Sequence, residues 1–389
     1  MKITGIICEY NPLHLGHKKQ LDRVRTLQGQ DSGIVCLMSG NYVQRGAPAL
    51  IDKSLRAKAA ILSGADLVLE LPVTATLSSA EGFAAKGVSI LSPFCASLCF
   101  GAETEDPGTL LAIAEVLLSP SFSCSLRKQL DKGLSFPAAR QAALEELGYP
   151  AGLLTQPNNI LAAEYCKAIL AQNSSMEILP IVRQGCYHDT VPDRSNPSAT
   201  ALRQLMNRRE DWRPFVPKAA RTCFENAVLH TLAAGERAIL GKLRCMADEE
   251  FEALPHGSEG LWRKLMHASR REATLEDILT SVKSKRYTRT RLDRMVLCAF
   301  LGITDAMLAD PAPYVRVLAL NDRGREILKT ARQFGCFPNA GEQQGETYQA
   351  LETRCGNLYG LFAEGTPEPA GSEAGKRLFY HQSDRYGGI

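Results

Sequence analysis

No stretch of the 389-residue chain has the roughly 20 consecutive apolar residues that a membrane span needs. Nothing near its start has the charged, apolar and small-residue succession of a signal peptide. A cytoplasmic protein is therefore expected. Cysteine pairing is missing as well: the twelve cysteines are scattered singly. The nearest two are Cys95 and Cys99, and a C-x-x-x-C without a second pair or a neighbouring histidine is poor zinc spacing. Buried free thiols in a reducing compartment fit that scatter, and no metal site is expected from this sequence. Internal repeats are absent, and strand candidates become few beyond about Gln204. The net charge is only +3, but it is unevenly spread. Residues 201–300 carry 19 Lys and Arg against 13 Asp and Glu, whereas residues 101–200 carry 7 against 11. The densest part, Ser281 to Arg294, has six basic side chains and one acid, interleaved with Tyr287 and hydroxyl residues. A basic stripe that leads into an apolar helix suits a polyanion such as RNA.

What the chain does contain, in its first half, is an alternation of short apolar strands and helical segments. That pattern predicts a parallel sheet covered on both faces. The strand candidates are Ile3–Cys8, Gly33–Met38, Leu67–Glu70, Ser97–Phe100 and Glu177–Ile181. Helical stretches fall near His17–Thr26, Lys53–Ser63, Ala80–Leu91, Gly108–Leu117, Ser125–Leu147 and Ile160–Ala171. Beyond Gln204 the periodicity is helical, and Trp212–Pro217 reads as a linker or the first turn of a second domain. Gly365 to Gly375 reads as a loose Pro/Gly-rich loop. The expected organisation is a doubly wound α/β domain over residues 1–205 and a mostly α-helical domain over 206–389.

Two elements carry anion-binding chemistry. Gly5 to His17 read G-I-I-C-E-Y-N-P-L-H-L-G-H, an apolar strand, an Asn-Pro turn and an H-x-G-H element in front of a helix. His14 and His17 would sit beside free main-chain N–H groups at a helix N-terminus, where phosphates are held. Gly16 would let the backbone approach a base or phosphate. Far downstream, Asn196 to Arg203 read N-P-S-A-T-A-L-R. Ser198 and Thr200 can cap a helix or bind phosphate, and Arg203 can grip phosphate in a fork. Together they match the two phosphate-binding elements of an adenylyl-transferring α/β fold. Other strand ends carry suitable residues: Gln44 and Arg45 in a glycine-punctuated loop, Gly101, and the Asn158–Asn159 pair.

These segments, with S-G-N-Y-V-Q-R-G-A-P-A-L at 39–50, D-L-V-L-E-L-P at 66–72, C-F-G-A-E at 99–103, Q-P-N-N-I-L at 156–161, Y-H-D at 187–189 and K-R-Y-T-R-T-R at 285–291, resemble the bacterial tRNA(Met) cytidine acetate ligase family over nearly the whole chain. The resemblance implies a Rossmann-like nucleotidyltransferase domain. It implies activation of acetate with ATP to acetyl-adenylate, then transfer to the wobble cytidine of elongator methionine tRNA. It places the ATP site on Ile7, Cys8, Glu9, Tyr10, Asn11, Pro12, Leu13, His14, Leu15, Gly16, His17, Lys18, Lys19 and Gln20, with Gly101, Asn159, Arg183, Ser198 and Thr200. His14, His17 and Arg203 are the expected catalytic residues, Mg²⁺ an expected companion of ATP, and His188 and Asp189 candidate bases. Lys283, Lys285, Arg286, Arg289 and Arg291 are the expected tRNA contacts. Two rivals stand beside this reading: an adenylyltransferase acting on a small metabolite, and a non-catalytic RNA-binding protein with a nucleotide fold.

Overall fold

The structure, a computed structural model, describes residues 1–104, 106–182, 197–311, 314–333 and 346–382. Seven strands form one sheet: β1 (Ile3–Cys8), β2 (Gly33–Ser39), β5 (Leu67–Leu71), β6 (Ser97–Ala102), β7 (Glu177–Val182), β8 (Val317–Asn321) and β9 (Phe379–His381). β3 (Tyr42–Val43) and β4 (Ala47–Pro48) make a separate antiparallel hairpin. The sheet order is β7-β6-β1-β2-β5-β8-β9. β1 pairs in parallel with β2, from Ile3 opposite Gly33 to Cys8 opposite Met38, and on its other edge with β6.

Both faces of the sheet are covered, so the central strands are apolar throughout rather than alternating. In β2, Val35 and Leu37 enter one core with Leu69, Phe83, Val88 and Tyr165. Ile34, Cys36 and Met38 enter the other with Ile6, Leu13, Leu21 and Ile61. The chain steps from β1 outward to β2 and β5, then returns to place β6 on the opposite side of β1. The connections therefore diverge between β1 and β6, which opens a crevice at their carboxyl ends.

Several sequence expectations need correction. Ser125–Leu147 is two helices, Pro120–Asp131 and Phe136–Glu146, because Gly133 turns the chain at φ 84° and Pro137 opens the second helix. Trp212–Pro217 is no spacer: Phe215 and Val216 are buried in the same core as Ile6 and Leu13. Two strands of the 206–389 half complete the sheet, β8 running antiparallel to β5 and β9 beside it. Both are short, β8 lying between β5 and β9 and β9 at the sheet edge, and short strands carry a weak sequence signal. Gly365–Gly375 is pinned from within: Glu373 meets Lys53 at 2.5 Å and Arg316 at 2.7 Å, and nearby Lys376 meets Asp52 at 2.6 Å.

The remaining helices, among them Leu232–Cys245, Leu261–Arg271, Leu275–Val282, Arg289–Leu301 and Glu346–Tyr359, pack around Ile239, Leu243, Phe251, Leu265, Ile278 and Met295. Tyr42 of the hairpin inserts into this core and donates to the Cys355 carbonyl at 3.0 Å. No single described helix is long and apolar enough to cross a membrane.

Candidate active site at the strand crossover

A cleft of about 1410 Å³ opens where β1 and β6 end. Its floor is the exit of β1. Tyr10 is buried with φ 44°, a left-handed conformation that costs energy in a non-glycine residue and that surrounding packing has to enforce. Its ring stands 4.9 Å from that of His17. His14 is the N-cap of helix Leu15–Gln28: its Nδ1 accepts the Gly16 N–H at 3.1 Å, while its own N–H donates to His17 Nδ1 at 3.3 Å. The two imidazoles stack with centroids 3.7 Å apart. With both Nδ1 atoms accepting, the ring proton of each histidine belongs on Nε2. His17 lines the cleft, and His14, fully buried, backs it.

The second element closes on the first. Ser198 caps helix Ala199–Asn207 by accepting the Ala201 N–H at 3.0 Å. Arg203 donates from Nη1 to the Asn11 carbonyl at 2.8 Å and from Nη2 to the Thr200 hydroxyl at 3.1 Å. Asn11 in turn accepts the Leu50 N–H through Oδ1 at 2.8 Å, so one residue ties three segments together.

The expected ATP residues separate into groups. Ile7, Cys8, Glu9, Tyr10, Asn11, Gly16, His17, Lys19, Gln20, Gly101, Ser198, Thr200 and Arg203 line the cleft. Leu13 faces the core, and Lys18 pairs with Asp22 on the helix surface. A Cβ on Gly101 would meet no protein atom within 4 Å, so the space beside it belongs to the cleft. Asn159 is buried and accepts the Glu103 N–H at 2.8 Å, while the Glu103 carboxylate accepts the Asn159 N–H at 2.9 Å. That exchange fixes the β6 exit to helix Pro157–Ala171 and leaves Asn158 at the cleft surface. Arg183, His188 and Asp189 lie outside the described residues.

Of the expected RNA contacts, Lys283, Lys285 and Arg286 are exposed. Arg286 meets Glu259 at 3.0 Å. Arg289 is held by both oxygens of Glu276, at 2.8 and 2.7 Å, and by Asp293. Arg291 donates to the His256 carbonyl and the Ser258 hydroxyl, both at 2.9 Å. These last two arginines tie elements of the helical half to one another.

Sequence reasoning missed the buried arginines. Arg56 is fully buried and donates to the main-chain carbonyls of Ile51, Glu9, Ser39 and Gly40, binding the ends of β1 and β2 into one frame. Its neighbours Ala57, Ala59, Ala60 and Ile61 make an apolar helix in which one arginine passes for a surface residue. Glu9 receives the Gln44 N–H at 2.7 Å, and burial raises its pKa against the pull of that bond and of Arg203, Arg56 and Arg45. Arg140, Glu164, Tyr165 and Lys167 form a further wall that no motif announced.

Residues 1–373 match the model of the HIGH Nucleotidyl Transferase family. The chain is 36% identical over 361 residues to the tRNA(Met) cytidine acetate ligase of Clostridium tetani, covering 87% of this chain and 89% of that protein. It is 33% identical over 373 residues to that of Acetivibrio thermocellus, covering 87% of each. Its fold superposes on Thermotoga maritima TmcAL in the apo form with a TM-score of 0.90 at 28% identity, over 98% of this chain and all of that one. The form of that protein bound with alpha-thio ATP gives 0.87. The chain belongs to the tRNA(Met) cytidine acetate ligase family of HIGH nucleotidyl transferases.

Proposed function

We propose that the protein activates acetate with ATP and passes the acetyl group to the exocyclic amine of the wobble cytidine of elongator methionine tRNA, giving N-acetylcytidine. One observation carries the reading. Two anion-binding elements 192 residues apart are joined by the Arg203–Asn11 hydrogen bond and open into a single cleft. The names of the relatives, and the alpha-thio ATP bound by the Thermotoga protein, support a nucleotide-dependent ligase.

The first step joins an acetate oxygen to the α-phosphorus of ATP and breaks its bond to pyrophosphate, leaving acetyl-adenylate. Such a displacement needs no protein nucleophile, only alignment and charge stabilisation. His17 supplies an Nε2–H donor, helix Leu15–Gln28 the positive end of its dipole, and Ser198, Thr200 and Arg203 the opposing donors. His14 positions His17 from behind. In the second step the cytidine nitrogen bonds to the acyl carbon, the carbon–oxygen bond to AMP breaks, and the nitrogen gives up a proton. Unstacked bases of single-stranded loops are the ones a protein can bring into such a cleft. Residues 206–389 supply the tRNA surface, with Lys283, Lys285 and Arg286 on its exposed face.

Among the described residues no three or more His, Cys, Asp or Glu side chains form a group able to hold a metal ion. Mg²⁺ would be held chiefly by the phosphates of ATP. The test is incubation with ATP, labelled acetate and elongator methionine tRNA, followed by nucleoside digestion. Label in N-acetylcytidine, dependent on ATP, is expected; consumption of ATP and acetate with no label in RNA would contradict the reading.

A further inference from the structure

The helical half reaches the cleft at the starts of two helices: Thr231 and Leu232 of helix Leu232–Cys245, and, in helix Arg289–Leu301, Thr290 and Arg294 together with the N-cap residue Thr288. Arg294 is only 8% exposed. Its Nη1 donates to the Gln44 carbonyl at 3.3 Å, but its Nε has no hydrogen-bond partner among the described residues. The adjacent carboxylate, Asp293, is engaged by Arg289 at 2.8 Å. Burial first, and the charge of Arg291 as well, push the pKa of Arg294 down to about 10. A buried cation with an unsatisfied donor is costly unless an anion completes it.

The start of the helix adds to this demand. Thr288 accepts the N–H groups of Arg291 at 3.1 Å and Leu292 at 3.4 Å through its main-chain carbonyl, not its hydroxyl. That hydroxyl makes no capping bond and lies 3.3 Å from the Thr290 hydroxyl. Two hydroxyls, the positive end of a 13-residue helix and an under-satisfied guanidinium thus share one wall.

Position selects the anion. The triphosphate is served by His17, Ser198, Thr200 and Arg203, which belong to other elements. This wall instead continues along the chain to the exposed Lys283, Lys285 and Arg286. An anion that enters the cleft and also runs along an exposed basic surface is a polymer. Gln44 links the wall to the chemistry, with its N–H on Glu9 and its carbonyl on Arg294. Gly46, at φ 82°, keeps the loop close, since a Cβ there would stand 2.4 Å from the Arg294 main-chain nitrogen.

We propose that Thr288, Thr290 and Arg294 hold the phosphodiester flanking the target cytidine, so that helix Arg289–Leu301 carries the RNA backbone from the exposed lysines to the reacting base. This rests on the RNA-acetylating reading above. The experiment compares anticodon stem-loop RNAs with a normal phosphate or an uncharged methylphosphonate beside the cytidine, measuring kcat/KM for acetyl transfer. Charge removal from the RNA is expected to cost wild type about tenfold or more. The same removal costs Arg294→Gln about twofold or less, because its partner is already gone. Arg294→Lys restores part of the sensitivity, and Thr288→Ala/Thr290→Ala, altered at exposed and half-buried positions, gives an intermediate value without disturbing a buried charge. Equal rates of wild type on both RNAs would overturn the inference. So would independent losses in Arg294→Gln with a raised KM for ATP or acetate, which would assign Arg294 to a small-molecule anion. Failure of wild type to acetylate the unmodified RNA would instead remove the functional reading beneath it.

Discussion

His17 works from a prepared state: its Nδ1 is committed to the His14 N–H, its ring lies between His14 and Tyr10, and its Nε2 is left to carry the proton. A donor fixed in this way loses little on meeting a developing negative charge. His17→Ala is expected to slow acetate-dependent adenylation by about 10²- to 10³-fold, as for removal of one oxyanion donor. His14→Ala is expected to slow it too, through loss of the stack and the cap, with a lowered unfolding midpoint that His17→Ala does not share. Both are read from pyrophosphate-exchange rates and thermal melts. The histidines, Ser198, Thr200 and Arg203 were legible because short spacings bring their chemistry together locally. Arg56 and Arg140 were not, since each sits in an alanine-rich helix and takes its meaning from carbonyls of other segments, and Arg294 was legible only as part of the basic stripe, because its bond to Gln44 joins residues 250 apart.

At the scale of elements, the sheet strands of the first half were legible, because a strand buried on both faces is a dense apolar run. β8 and β9 were not: they are five and three residues long and follow a helical region. The basic stretch behaves likewise. Its composition was plain in the sequence, but its internal ion pairs were not, since Glu276 and Glu259 reach it from neighbouring elements. Arg289 and Arg291 are engaged by carboxylates, a carbonyl and a hydroxyl of the helical half, and the exposed charge lies at Lys283, Lys285 and Arg286. Reversing those three charges is expected to weaken tRNA binding far more than adenylation. It should also reduce the salt slope of binding by about one for each RNA phosphate that is no longer neutralised. Affinity measured across a salt titration checks this, and an unchanged slope would move the RNA surface elsewhere.

Taken whole, the molecule is closed by a buried charge cluster between its two halves. Lys53 meets Glu70 at 2.6 Å and Glu373 at 2.5 Å, and Arg316 joins both carboxylates. Two cations and two anions balance, so a third carboxylate, Glu352, is in excess. Burial and then the charge of Glu70 raise its pKa from 4.5 to about 7, against the pull of Lys53 and the bonds from Tyr348 and Val73. Glu352 binds its proton more tightly when folded, so its contribution to stability is complete below about pH 4.5 and is lost as pH rises through about 7. Glu352→Gln is expected to shrink the fall in melting temperature between pH 6 and 8, by roughly 2–4 °C for each kcal/mol recovered. A variant with the wild-type slope would contradict this. On the reading proposed above, the cleft between β1 and β6 makes an acyl-adenylate, and ATP–pyrophosphate exchange without tRNA isolates that step. Exchange that requires acetate and is lost in His17→Ala is the predicted result. Exchange independent of acetate, or none at all from folded protein that binds ATP, would contradict it.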